Sequence, residues 1–281
     1  MSATGGNIDE QVVRGFGDEW TRFDQSALSD AELRAMYDPY FAIFSWDALP
    51  HDAAGFDAGC GTGRWARFVA PRVGRILCVD ASEDALNVAR RNLASSRNAE
   101  FVHAPIERMP IADASLDFGY SLGVLHHLPD TAAAIRTCVA KLKPGAPFLI
   151  YLYYAFDNRP LWFKAIWRAS ELIRTTVSRL PHALRYAISQ LLAAVVYWPL
   201  ARLARRLERA GKNVANFPLA YYRDRSFYVM RNDALDRFGT KLEQRFTRAQ
   251  IERMLRDAGL ERIRFSDAAP YWCAVGFRGV S

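Results

Sequence analysis

The stretch FDAGCGTGRW, Phe56–Trp65, decides how the whole chain is read. Three glycines, Gly59, Gly61 and Gly63, alternate with other residues just after an aspartate, Asp57. Glycine loses more backbone freedom on folding than any other residue, so a cluster marks a place where the chain bends tightly or lets another group come close. The residues before it, AAGFDAG, read as a short strand, and those after it, GRWARFVAPR, as a helix. The cluster therefore sits on a turn from strand to helix.

Working outward, the same alternation continues. RILCVD is a strand, and SEDALNVARRNLASS a helix capped by Ser82. AEFVHA, LDFGYSL and APFLIYLYY are further strands, with TAAAIRTCVAKL as a helix between the last two. After a long interruption the rhythm returns with TRAQIERMLRDAGL, a helix capped by Thr247 and stopped by Gly259, and with ERIRFSD and APYWCAVGFR as a closing pair of strands. This order predicts an α/β fold: a Rossmann-like, doubly wound, mostly parallel sheet with a terminal antiparallel hairpin strand and a helical insertion. Residues 1–50 are expected to form an N-terminal helical lid segment. Residues 51–155 and 241–281 would form the Rossmann-like cofactor-binding domain, and 156–240 a basic amphipathic insertion serving as substrate cap.

The interruption also holds the charge. Eleven Lys/Arg and two Asp/Glu lie between Arg159 and Lys212, a local excess of +9 against +7 for the whole chain. In LWFKAIWRASELIRTTVSRL, helical spacing places Trp162, Ile166, Ala169, Ile173 and Val177 on one face and Lys164, Arg168, Arg174 and Arg179 on the other. The next helix, ALRYAISQLLAAVVYWPLARLARRLERAG, is expected to kink at Pro199. Its uncharged run, Tyr186 to Ala201, is sixteen residues long, short of a membrane span. The four cysteines are scattered, half the residues are hydrophobic, and the first residues carry no basic-then-apolar leader, so a reducing, cytoplasmic setting is the expectation. No cluster of metal-ligating residues stands out, and no metal is expected.

The dehydrogenase fingerprint needs a glycine where this chain has Arg64, so the turn follows a different rule, Asp-x-Gly-x-Gly-x-Gly. An acidic residue ahead of such a turn suits an ammonium or sulfonium group better than a phosphate. Twenty-three residues after Asp57, Asp80 ends the second strand, where a carboxylate can accept both hydroxyls of a ribose. With FDAGCGTGR, LCVDAS, IERMPIADASLDFGYSLGVLHHLPD and LKPGAPFLIY in this order, the chain resembles the class I S-adenosylmethionine-dependent methyltransferases over most of 52–153 and again at 247–277. The resemblance implies S-adenosylmethionine as cofactor and S-adenosylhomocysteine as product. It implies cofactor contacts from Asp57, Gly59, Gly61, Gly63, Asp80 and Ala81, with Ile106 and Glu107 flanking the adenine and Leu122 and Gly123 forming the floor. Where such chains often carry an acidic residue just before Glu107, this one has Ala104, Pro105 and Ile106.

Other residues carry two readings each. His126 and His127 either open a helix against the cofactor or supply a general base. Glu19, Trp20 and Phe23 either close over the site or pack an outer helix. Tyr221, Tyr222 and Tyr228, with Arg223 and Arg225, either line an acceptor pocket or form a solvated loop. The basic insertion at 159–212 either meets an anionic membrane surface, which would place the protein peripherally at the inner membrane, or presents a solvated face. The acceptor is expected to be a small or lipid-linked molecule, and no nucleic-acid-binding motif is seen. Two readings compete with methyl transfer: a cofactor-binding protein with a non-methylating or regulatory role, and a peripheral membrane module with a vestigial site.

Overall fold

The computed structural model describes residues 7–280. Seven strands form one sheet: β1 (Ala54–Ala58), β2 (Arg75–Asp80), β3 (Ala99–His103), β4 (Phe118–Leu122), β5 (Pro147–Tyr151), β6 (Leu260–Phe265) and β7 (Cys273–Arg278). Their order is β3-β2-β1-β4-β5-β7-β6. All neighbours are parallel except β7, which runs antiparallel to both β5 and β6. The doubly wound sheet and its closing hairpin are thus as expected, with the hairpin's second strand lying inside the sheet and its first at the edge. Between β1 and β4 the central pairing is reciprocal: Gly55 faces Phe118 and Phe56 faces Gly119. A Cβ on either glycine would stand 2.2–2.3 Å from the opposite ring, so the phenylalanines fill the space the glycines leave.

Ten helices accompany the sheet among the described residues: α1 (Glu10–Arg22), α2 (Asp30–Phe41), α3 (Ala66–Val69), α4 (Glu83–Asn92), α5 (Thr131–Lys141), α6 (Leu161–Val177), α7 (His182–Leu192), α8 (Trp198–Arg209), α9 (Phe227–Gly239) and α10 (Arg248–Asp257). The helix read after the glycine cluster is shorter than expected. Only α3 is α-helical, and Pro71, which cannot donate a backbone hydrogen bond, lies in the 3-10 turn Ala70–Arg72 that follows. Capping was read correctly. The Ser82 hydroxyl accepts the Ala85 N–H, and Thr247 forms a reciprocal capping box with Gln250. Gly259 follows α10 with a φ of +86°.

The chain divides into two compact units. One runs to Ala155 and resumes at Leu242; the other is Phe156–Lys241. The first is centred on the sheet, with Phe56, Leu125, Ile135, Phe148, Ile150 and Leu255 in its core. The chain leaves and re-enters it through a short clasp: Phe246 N–H donates to Tyr153 O and Ala155 N–H to Phe246 O, each at 2.9 Å.

The second unit packs α6, α7 and the turn Ala193–Tyr197 on α9, with Val177, Ala193, Tyr197, Ala201, Met230, Ala234 and Phe238 in its core. The disturbance expected at Pro199 takes the form of a π-helical turn, Ala193–Tyr197, so that His182–Arg209 is continuous over 28 residues. Contrary to the sixteen-residue count above, that helix is long and apolar enough to cross a membrane by length and composition alone. The expected polarity of α6 is also corrected. Trp162, Ile166, Ala169 and Ile173 face solvent, and of that stripe only Val177 is buried. Arg174, expected on the solvated side, is 6% exposed. It holds Glu171 at 2.5 Å and donates to Thr240 O at 2.8 Å. The inward seam is set by the spacing of Trp167, Ser170, Arg174 and Val177, because satisfied ion pairs can occupy a buried face as apolar groups do.

Candidate cofactor and acceptor site

The site begins at the end of β1. Gly59 and Cys60 donate their N–H groups to Val79 O at 2.8 and 3.0 Å, and Gly61 donates to Asp80 Oδ2 at 2.9 Å. The turn is thereby fastened to the end of β2. Gly59 and Gly61 have φ values of +79° and +54°, a region side chains rarely adopt. A Cβ on Gly59 would strike Val124 at 2.4 Å, and one on Gly61 would crowd the Trp20 indole at 3.1 Å. Gly63 acts differently: its missing side chain makes room for Leu93 and Ala89 beyond α4 and on it.

Over this turn lies a cavity with about 860 Å³ of empty space including its mouth. That is within the usual range for small-molecule sites, about 300–1,000 Å³. Its wall follows the carboxyl ends of β2, β1 and β4: Asp80 and Ala81, then Gly59 to Thr62, then Leu122, Gly123 and Val124, with Pro105, Ile106, His127 and Leu128 around them. This is where an open parallel sheet binds ligands. Helix α1 closes the remaining side with Val12, Val13, Phe16 and Trp20. It is tied at one end by Asn7, which exchanges two hydrogen bonds with the Asp130 backbone at 2.6 and 2.7 Å. Further along, Gly17 allows close contact with Ser82, whose Oγ a Cβ there would meet at 2.6 Å.

Of the residues read as cofactor ligands, the structure brings Gly59, Gly61, Asp80, Ala81, Ile106, Leu122 and Gly123 to this cavity, together with Trp20 and His127. Asp57, Gly63, Glu107 and His126 are not part of its wall. Asp57 is 1% exposed. Burial pushes its carboxyl up to about 8, opposed by the neighbouring Tyr120 hydroxyl. It stands behind the turn as a buried acid, outside the cavity wall. The Glu107 carboxylate oxygens are buried without a hydrogen-bond partner. His126 is fully buried against Tyr153, ring centroids 3.8 Å apart, and burial drives its pKa well below the ordinary value. The ring lies outside the cavity wall, behind His127.

His127 is placed differently. Its Nδ1 lies 2.8 Å from Leu242 O, and a carbonyl only accepts, so Nδ1 carries the proton of the neutral ring. Nε2 is then the basic nitrogen. Glu19 and Phe23 are buried in packing, leaving Trp20 as the member of that trio on the cavity. Tyr222, Arg223 and Tyr228 belong to the second unit. Tyr222 packs on Tyr197, and Arg223 holds Glu208 at 2.7 Å.

Several wall residues escaped the sequence reading. Arg64 lies over the rings of Trp65 and Trp20 at 4.4 and 5.3 Å, and the Thr62 hydroxyl is buried in the wall without a protein partner. Both belong to the glycine stretch, so their position was the available signal. Phe16 and Val13 lie in the one N-terminal helix opened by an acidic cap, Asp9.

These residues fit a nucleoside carrying a cationic amino-acid arm. An unpartnered hydroxyl, a carboxylate at the end of β2 and a side-chain-free turn supply its donors, acceptors and space. Residues 56–150 match the family described as a methyltransferase domain. A ubiquinone biosynthesis O-methyltransferase of Idiomarina loihiensis is 36% identical over 121 residues, 42% of this chain and 48% of that one. A demethylmenaquinone methyltransferase of Staphylococcus aureus is 33% identical over 93 residues, 32% and 38% of the two chains. This chain thus spans less than half the length of either relative. In structure, an S-adenosylmethionine-dependent methyltransferase of Methanosarcina mazei superposes with a TM-score of 0.51 at 15% identity, covering 84% of this chain and 96% of the other, a likeness of fold. Fold, turn and matched domain together define a cofactor-binding methyltransferase domain. Residues 56–150 of the chain thus carry a methyltransferase domain.

Proposed function

We propose that this chain transfers a methyl group from S-adenosylmethionine to a small, largely apolar acceptor carrying an acidic hydroxyl. The observation that carries the reading is the joint presence, on one cavity wall, of the Asp80 carboxylate, the Gly59–Gly61 turn and His127. When bound, the cofactor supplies a methyl carbon on cationic sulfur and leaves as the neutral thioether S-adenosylhomocysteine. Asp80 has lone pairs to spare beyond the two backbone N–H groups it accepts, and these would take the ribose hydroxyls. Arg64 offers a guanidinium to the carboxylate of the amino-acid arm. Gly123, where an added Cβ would meet nothing within 4 Å, leaves the floor at β4 open for the methyl group.

Beside that floor, Phe16, Val124 and Leu128 make an apolar surface around His127. A ring hydroxyl held there would lose its proton to Nε2 as its oxygen takes the methyl group, and Leu242 O would steady the imidazolium through Nδ1. Most of the remaining catalysis is alignment and exclusion of water, which α1 supports by covering the cavity. The relatives named for quinone biosynthesis support an acceptor of this ring type, free or attached to a lipid.

Calorimetry with S-adenosylhomocysteine and transfer of labelled methyl groups to a panel of ring hydroxyls test the reading. Absence of binding would overturn it entirely. Binding without transfer to any acceptor, cell extract included, would leave a cofactor-binding protein with a regulatory role.

A further inference from the structure

The second unit carries an apolar surface that its own core does not use. Thirteen of the fourteen large hydrophobic side chains that are exposed among the described residues lie within Phe156–Lys241. They are ordered. On α6, Trp162, Ile166 and Ile173 follow helical spacing along one face, and they are 47–51% exposed. Along the continuous helix His182–Arg209, Leu191, Val195 and Trp198 do the same, at 41–59%. The opposite faces are already engaged. Arg174 and Val177 of α6 are buried, while Ser189, Ala193, Tyr197, Ala201 and Ala204 of the second stripe's helices are buried too.

Charge says what covers these stripes. Continued by helical steps past Trp198, the second stripe runs into Arg202, Arg206 and Arg209. Arg206 and Arg209 are exposed and have no acidic partner among the described residues, as is true of Arg168 on α6 and Arg179 just beyond it. Arg202 lies over the Trp198 ring at 4.1 Å. An apolar face edged by tryptophan and continued by unpaired arginine matches the boundary of an anionic bilayer, where acyl chains take the one and headgroups the other. We infer that the second unit docks on an anionic membrane surface through these two stripes, with the helices lying in the interface. This inference does not depend on methyl transfer.

A second copy of the chain fits the surface poorly, because pairing it with itself would oppose two segments that each carry an excess of +9 between Arg159 and Lys212. A spanning helix fits poorly as well. In His182–Arg209, Gln190 donates to Arg231 O at 3.3 Å and accepts from the Arg231 guanidinium at 2.5 Å, so a polar face of that helix is engaged with α9.

Flotation of the full-length protein with vesicles of phosphatidylcholine, alone or mixed with phosphatidylglycerol, tests the inference. The protein should float with the mixed vesicles, be partly released by salt, and show a blue-shifted tryptophan emission. Arg206→Ala with Arg209→Ala should lower partitioning about thirtyfold, at about 1 kcal/mol per basic side chain near an anionic surface. Trp162→Ser with Ile166→Ser should lower it independently while keeping the wild-type circular dichroism and melting temperature. Three results would overturn the inference: equal recovery in the soluble fraction with both vesicle types, a stable dimer that the Trp162 and Ile166 changes dissociate, or attachment to membranes that resists alkaline carbonate. Loss of cofactor binding with flotation intact would defeat the methyltransferase reading alone.

Discussion

Asp57 and Asp80 lie at the carboxyl ends of adjacent strands, one residue before the last of β1 and at the last of β2, and their surroundings set them different tasks. Burial raises both, but Asp80 has Ser82 and Gly61 N–H groups holding it towards the charged form. Asp57 is buried with only the Tyr120 hydroxyl opposing its desolvation, and is pushed up to about 8 from an ordinary 3.8. A raised carboxyl binds its proton more tightly when folded, so its contribution to stability is present at low pH and is lost as pH climbs from the unfolded value through the folded one. Stability should therefore fall between about pH 4 and about pH 8, and Asp57→Asn should flatten that fall, as melting across the range would show. For Asp80→Ala, calorimetry should find S-adenosylhomocysteine affinity reduced roughly 10- to 150-fold, the worth of hydrogen bonds to a charged group. His127→Ala should lower kcat by about 10²–10⁴, with cofactor affinity unchanged, as steady-state kinetics and calorimetry would show. Asp80 was legible because a strand end followed by a helix cap leaves little choice of direction. Asp57 was not: its surroundings include Tyr120 of another strand, and the packing of distant elements decides which face of a strand is dry.

Among the elements, those whose ends carry side-chain signals were read most closely. Ser82, Thr247 and Gly259 mark helix boundaries by local chemistry that no tertiary contact needs to rescue. Helix α6 was harder, because its two faces carry nearly equal claims to the interior. Apolar residues line one, and on the other Glu171 joins Arg174 at 2.5 Å and Arg237 at 2.8 Å. Only the acidic residue makes the arginine face packable. Glu171→Gln should accordingly destabilise the protein by about 2–4 kcal/mol, since it removes the carboxylate shared by two largely buried guanidinium groups; chemical denaturation would measure it. Helix α1 makes the converse point. Its aromatic residues were visible in sequence, but which of them reach the cavity depends on the tether from Asn7 to Asp130 and the close passage at Gly17. Trp20→Ala should weaken cofactor binding about 5- to 30-fold by removing about 1–2 kcal/mol of apolar cover, read as faster release in stopped flow.

For the molecule as a whole, the order of strands and the position of the insertion were legible, because a doubly wound sheet repeats its pattern and any break in it is conspicuous. The direction in which the insertion turns its apolar surface was not, since hydrophobic spacing shows a face and leaves its partner unnamed. Ligand linkage provides a whole-chain check. At about a hundred times its Kd, S-adenosylhomocysteine should add about 2.7 kcal/mol and raise the melting temperature by several degrees, an increase that Asp80→Ala should cut by about half or more at the same concentration.

The clasp at Tyr153, Ala155 and Phe246 has an evolutionary corollary. Entry and exit of the inserted segment meet side by side and are stitched together within the sheet-bearing unit, so the graft junction is already sealed. A host with such a sealed port could trade one inserted module for another without rebuilding its nucleoside pocket. Shortening the chain so that Ala155 and Leu242 are joined by a small turn should then yield a soluble stump that still takes up S-adenosylhomocysteine.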